Sequence, residues 1–219
     1  AHSILKTIIE KDIFKRLNIT IKHDFNKILD FILYCVGSYV SPRSISDTLR
    51  SNGTIVDKQT VAKYLDALCE AYLIYKVPRF EIKGKGLLQT LNKYYIVDPC
   101  FAKVRLKKSI IKDRSHWLEN MVYLELFRRN KEVFIGKRNN LEVDFVVIDY
   151  NDYTSYYQVA WTTENPDTLE RELASLRAIK DSTPKYLITT DIDFNPVYDG
   201  IRKLNVIDWL LSHNPNNTL

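Results

Sequence analysis

The sequence predicts an α/β chain in two successive parts, α+β when taken as a whole. Three observations predict it. Residues 4–72 carry apolar side chains at helical spacing, and residues 74–98 switch to period-two alternation around a basic glycine turn. Beyond residue 115 the pattern runs helix, three strands, helix, strand, the order of a sheet buried between helices.

At 219 residues the chain can bury a sizeable core as one large or two small domains. No apolar run reaches 18 residues, because Asp30 interrupts the best one, Ile28 to Val36, so no membrane association is expected. Ala1-His2-Ser3 shows no signal-peptide pattern and no initiating Met, which reads as a fragment or processed chain. Cys35, Cys69 and Cys100 lie among apolar neighbours without a CxxC pair, as expected of buried thiols in a reducing cytoplasm. Four scattered histidines give no zinc signature. The net charge of +5 falls entirely within residues 1–98, and it is densest between Lys76 and Lys108. Such a patch attracts polyanions or an acidic partner surface.

Ile4 to Asn18 reads as a helix, and His23 to Ser38 as a second with Phe25, Ile28, Leu29, Ile32 and Val36 on one apolar face. Ser44 to Ser51 is a short helix that stops at the Asn52-Gly53 turn. Asp57 stands as the N-cap of a helix from Lys58 to Tyr72. Ile74 to Ile82 alternates as a strand, and the chain returns after Lys83-Gly84-Lys85-Gly86 through Lys93 to Asp98. Three helices followed by such a ribbon describe a winged helix over residues 21–98, preceded by a separate helix in residues 1–20. In that arrangement the third helix can enter the major groove while the wing touches phosphates. Lys58, Gln59, Thr60 and Lys63 would then face DNA, with Lys83 and Lys85 on the wing. Winged helices also bind proteins, and Asp57, Asp66 and Glu70 on the same helix fit that use.

Residues 99–219 form the second domain, opening with a basic connector to Asp113. His116 to Arg129 is an amphipathic helix, followed by strands near Glu132–Lys137, Leu141–Ile148 and Ser155–Trp161. Pro166 sits where a first-turn proline is tolerated, opening a helix from Asp167 to Lys180 with Leu169, Leu173, Leu176 and Ile179 inward. Lys185–Thr190 is a further strand and Asp208–Ser212 a last short helix.

Chemistry gathers in the middle of this domain. Period-two alternation puts Val143, Phe145 and Val147 on one strand face and Glu142 and Asp144 together on the other. Two carboxylates so placed repel each other unless a cation, a basic side chain or water meets them. Glu119 on the preceding helix could add a third oxygen, and oxygen sites of this kind suit magnesium or manganese. The plainer reading has Glu142 and Asp144 solvated, or paired with Lys137 or Arg138.

Over nearly all its length the chain resembles the C-terminal half of a family of prokaryotic AAA-type P-loop ATPases. The resemblance rests on Thr60-Val61-Ala62-Lys63-Tyr64-Leu65, Lys83-Gly84-Lys85, Lys93-Tyr94-Tyr95-Ile96-Val97-Asp98-Pro99, Leu118-Glu119-Asn120-Met121-Val122-Tyr123, Glu142-Val143-Asp144-Phe145 and Tyr157-Gln158-Val159-Ala160. It implies a winged helix followed by a restriction-endonuclease-like domain of the PD-(D/E)XK kind. It also implies a cytoplasmic location and an upstream ATPase domain that would hold the ATP. Residues 1–20 would be the helix trailing from that domain, since the chain itself contains no GxxxxGK[ST] loop.

By the same resemblance Glu119 and Asp144 match the acidic site positions. Gln158 falls where the next metal-binding carboxylate belongs, and Ala160 where the lysine belongs. A neutral amide binds a hard cation more weakly than a carboxylate. Alanine cannot stabilise charge on a transferring phosphate, a loss of typically ~10²–10³ in rate. The resulting expectation is a non-catalytic targeting and regulatory module that grips nucleic acid, DNA among the candidates, or a partner for the upstream ATPase, and carries no cofactor of its own. An active nuclease using magnesium or manganese, and a protein-binding or oligomerisation tail, are the competing expectations.

Overall fold

A computed structural model describes residues 1–17, 19, 21–84, 86–106, 114–193 and 197–212, without the side chains of residues 89 and 90. Lys85, Lys107 and Lys108 of the expected basic patch lie outside the described residues. The chain is a mixed α/β protein that clusters into two compact units. One comprises Ala1–Val77 and Thr90–Asp113, the other Pro78–Gln89 and Arg114–Leu219.

The first unit opens with α1 (His2–Thr7), which runs directly into a π-helical stretch, Ile8–Lys15. Helix α2 (Lys22–Tyr34) buries Phe25, Ile28, Leu29, Ile32 and Leu33, and Phe25 packs edge-on against Phe14 and Tyr64 at 5.0 and 5.4 Å. It ends four residues earlier than the apolar pattern implies. The chain then turns at Gly37, where φ of +76° suits glycine, into a short strand, β1 (Tyr39–Val40). Helix α3 (Pro42–Ser51) starts two residues before the expected Ser44. Ser41 caps it reciprocally with Ser44, and Pro42 occupies the first turn. Asp57 caps α4 (Lys58–Glu70) as its position implied, accepting from the N–H groups of Gln59 and Thr60 at 2.8 and 2.9 Å.

Strands β2 (Ile74–Glu81) and β3 (Gly86–Ile96) follow, each with one end in either unit. Within the first unit β1 pairs antiparallel with β3, Tyr39 opposite Lys93. The expected connector after Asp98 begins instead as a helix, α5 (Pro99–Arg105), capped by Asp98 with Pro99 in the first turn. It holds to α2 through Arg105, which donates to Asp30 and, at 2.8 Å, to Asn26. The three thiols are free, and Cys100 is exposed rather than buried. Burial pushes the half-buried Cys69 up to about 11.

The second unit contains α6 (Arg114–Arg129), β4 (Glu132–Arg138), β5 (Leu141–Ile148), β6 (Thr154–Val159), α7 (Pro166–Arg177), β7 (Lys185–Thr189), β8 (Val197–Tyr198), β9 (Ile201–Asn205) and α8 (Val206–Leu211). Its strand order is β2–β4–β5–β6–β7–β9–β8. The β2–β4, β6–β7 and β7–β9 pairs are parallel, and β4–β5, β5–β6 and β8–β9 are antiparallel. Leu173, Leu176 and Ile179 cover one sheet face, over Val143, Val146, Tyr156, Leu187 and Ile201. Tyr123 of α6 meets Phe145 on the other, and Trp209 of α8 meets Tyr157.

Strict alternation along β5 does not hold. Phe134 pairs with Val146 and Gly136 with Val143, so three steps on β5 oppose two on β4. That extra residue is a β-bulge spanning Asp144 and Phe145. Val143 and Val146 therefore share the α7 face while Phe145 turns toward α6. Gly136 lies opposite because a Cβ there would sit 2.9 Å from Val146 Cγ2 and 3.1 Å from the Val143 carbonyl oxygen. Both faces of the strand are buried, as its central position requires.

Candidate functional site

The bulge aims Asp144 at the place where β5 and β6 part. Their ladder ends at Phe145 opposite Tyr157, and the Asp144 carboxylate then accepts the Val159 N–H at 2.7 Å. A side chain has taken over a backbone acceptor's place in the sheet. Gln158 completes the arrangement from the β6 side. Its carbonyl oxygen accepts from the Asp144 N–H at 3.3 Å and from Ser175 Oγ at 3.2 Å. Its amide nitrogen donates to Glu172 Oε2 at 2.8 Å. Glu172 accepts in turn from Arg171, whose guanidinium lies 2.9 Å away.

The structure brings Asp144 to Gln158 and adds Glu172 and Ser175 from α7. Neither carried a sequence signal, because each sits beside the inward leucines of an amphipathic helix and reads as a flanking polar residue. Glu119 is buried on α6, its Oε2 3.6 Å from His116 Nδ1. Glu142 lies directly opposite Lys137 in the β4–β5 ladder, one of the pairings open to it. Arg138 is directed instead to the Ala178 carbonyl at the end of α7. Ala160 is buried, and its N–H is spent on the Ile188 carbonyl at 3.0 Å. Among the described residues no three His, Cys, Asp or Glu side chains converge as a metal-binding group.

A second polar cluster, unforeseen in the sequence, closes the loop after β7. Lys203 of β9 is buried between Asp191, at 2.9 Å, and Asp193. Asp191 also accepts from the N–H and hydroxyl of Thr163 at 2.7 and 2.8 Å. Burial alone would raise the Asp191 carboxyl. The hydrogen bonds from Thr162, Lys203 and Thr163 outweigh it and hold the group well below the usual carboxylate range. Burial opposes the charge on Lys203 too, and its two carboxylate partners push it above its ordinary value.

The residues expected to meet nucleic acid divide between the units. Lys58, Gln59 and Lys63 are exposed on α4 in the first, as are Asp57, Asp66 and Glu70. The Thr60 hydroxyl is already committed to Asp57 at 2.7 Å, and Glu70 pairs with Arg16 at 2.9 Å. Lys83 is exposed and clusters with the second unit. Lys85 lies outside the described residues.

Residues 1–109 match a family described as a domain of unknown function, DUF8612. The match covers α1 to α5 and leaves out the Asp144–Gln158–Glu172 site. An uncharacterised protein of Haemophilus influenzae is 36% identical over 208 residues, which is 95% of this chain and 51% of that protein. An uncharacterised protein of Methanocaldococcus jannaschii is 28% identical over 209 residues, 93% of this chain and 45% of that protein. The chain therefore spans about half the length of the curated relatives it matches. No solved structure matches it. Among the described residues no helix is long and apolar enough to cross a membrane.

Proposed function

We propose that the chain is a non-catalytic targeting and regulatory module of a longer prokaryotic protein, an AAA-type ATPase, and that it binds nucleic acid. On this reading the first domain is a winged helix and the second a nuclease-like domain that no longer cuts. One observation carries the second half of the proposal: the Gln158 amide is consumed by Asp144, Ser175 and Glu172. An amide so engaged acts as a strut, and the Asp144 oxygen it stands beside is already satisfying Val159. The exposed Lys58, Gln59 and Lys63 supply contacts from the first unit, and Lys83 supplies one from the second.

Labelled duplex DNA titrated by fluorescence anisotropy tests the binding. Affinity should fall steeply with salt, as counterion release requires, and should drop when Lys58, Lys63, Lys83 and Lys85 are changed to alanine. Unchanged binding by that variant refutes the DNA contact. Plasmid cleavage with manganese that disappears in Asp144→Ala would refute the non-catalytic assignment and support an active nuclease.

A protein partner is the second reading, favoured by the charge on α4. Asp57, Asp66 and Glu70 outnumber Lys58 and Lys63 on its exposed positions, and Ile55 just before it is 81% exposed. A concentration-dependent mass in light scattering, with no shift of a DNA probe, would support it.

A further inference from the structure

Beyond the candidate site, the second unit holds a cavity of about 180 Å³ among the β5–β6 turn, the end of α6 and the start of β7. Pockets for drug-sized ligands run to roughly 300–1,000 Å³, so this one admits only a small planar group. Tyr157 and Tyr186 line it and stack on each other, centroids 4.8 Å apart and rings 22° from parallel. Tyr150 and Tyr153 also line it, 71% and 73% exposed.

The turn that carries the outer tyrosines has an ordered backbone. Asp149 accepts from the N–H groups of Asn151 and Tyr153 at 2.8 and 2.9 Å. Its own N–H donates to the Tyr153 carbonyl, and Asp152, at φ of +63°, is tied to Lys131 at 2.8 Å. Large aromatic side chains on so ordered a turn give up little freedom when a ligand stacks on them.

The lining carries no net charge. Arg129 pairs at 2.5 Å with Glu125, which it shares with Arg128, and donates to the Trp209 and Leu210 carbonyls at 3.1 and 3.2 Å, and one oxygen of Asp149 accepts from its own turn. The rest of the lining is the four tyrosines with Asn130, Asn151, Thr154, Ser155 and Pro184. Aromatic rings together with amide- and hydroxyl-bearing residues match an uncharged planar heterocycle that has a π-face and in-plane donors and acceptors. The larger cavity of the first unit, about 590 Å³, has no such selectivity. Its charges are paired internally, Lys6 with Glu10 and Arg105 with Asp30, and Lys22 lies over Phe14.

We propose that the tyrosine-lined cavity binds one nucleobase, that of an unpaired nucleotide, by stacking against Tyr150 and Tyr153. The sugar and phosphate stay outside, since neither the volume nor the lining charge accommodates them. This deepens the nucleic-acid reading by adding a single-strand contact that does not use the lysines.

Titration of the whole chain with adenosine, with uridine and with a short single-stranded oligothymidylate tests it. The readouts are saturation-transfer NMR and the emission of Trp209, 6.4 Å from Tyr157. Stacking on an aromatic is worth roughly 1–3 kcal/mol per base, so Y150A/Y153A should weaken oligonucleotide binding by about tenfold or more, and Y150F/Y153F should retain it. Both side chains are exposed, and an unchanged thermal melt will confirm that the variants fold. Nucleoside binding should persist when the four lysines are replaced, so a failure of the lysine-dependent contact leaves this result standing. The proposal is overturned if no nucleoside binds at millimolar concentration, if glucose elicits the same response, or if Y150A/Y153A binds as the parent does.

Discussion

The second unit contains two buried polar clusters that solve the same problem by different means. Around Gln158 a neutral amide links a backbone N–H, a hydroxyl and a carboxylate. Around Lys203 an ammonium is shared by two carboxylates. A buried amide with all its partners costs little and responds little to pH. A buried ion cluster is stable only while each charge keeps its partner. The contrast teaches that the position resembling a catalytic site is braced by a neutral amide, while a buried ammonium shared by two carboxylates lies in a loop clasp outside the predicted site.

The largest test of this contrast is Lys203→Met. Removing the ammonium leaves Asp191 and Asp193 without a counter-charge, and we expect a loss of about 3–5 kcal/mol, the usual effect of breaking a buried pair, in denaturant unfolding. A loss below that seen for Gln158→Ala would reverse the order of the two clusters. Gln158→Ala should cost about 1–3 kcal/mol, because Glu172 and the Asp144 N–H each lose a partner.

Gln158→Glu sharpens the comparison. It sets a second carboxylate against Glu172, where the amide stands at 2.8 Å. Its melting temperature at pH 7 should fall below the parent's, and the gap should narrow toward pH 4–5 as the pair takes up a proton. A gap independent of pH would show that the two carboxyl groups do not face each other.

Acid and base scans of the parent separate the two members of the ion clasp. Asp191 is held below its unfolded value of about 3.9. Its contribution is therefore complete above that value and disappears as pH falls from there through the folded value. Lys203 is raised above about 10.4, so its contribution is complete below that pH and is lost as pH climbs through the folded value. Lys203→Met should shrink the alkaline limb without abolishing it, because Cys69, Tyr156 and Tyr157, also raised by burial, contribute to it. The smallest effect belongs to Arg171→Ala, whose side chain is 73% exposed. About 0.2–1 kcal/mol is expected, and a larger loss would mean that Glu172 relies on Arg171 more than on Gln158.

Much of the secondary structure was legible because its signals are local. Asp57 could be assigned as a cap from its place before a periodic run, and Pro166 as a first-turn residue. The span of β5 was readable from its apolar residues. Helix α5 was not, since its seven residues carry too short a period to separate from a basic connector. The alternation rule misassigned Phe145 for a different reason. A bulge depends on the partner strand, and Gly136, which makes room for it, is nine residues from Phe145 across a turn.

At the candidate site, Asp144 stood out because a carboxylate is unusual in a strand that is otherwise largely apolar, and Gln158 stood out only through the family resemblance. Their partners did not. Glu172 and Ser175 become relevant only when α7 lies on the sheet, and Asp191 and Lys203 meet only when β7 and β9 pair in parallel.

By itself the sequence determined roughly where most helices and strands lie, many of the residues they bury and which polar side chains the middle strands carry. Those follow from propensity, spacing and capping, all of which act within a few residues. Only the tertiary structure decided what the polar side chains do: that Gln158 braces Asp144 against α7, that Lys203 clasps a loop, and that four tyrosines surround one small cavity. Hydrogen bonds and ion pairs are short-ranged and directional, so their partners are chosen by the packing of distant segments and leave no periodic trace in the chain.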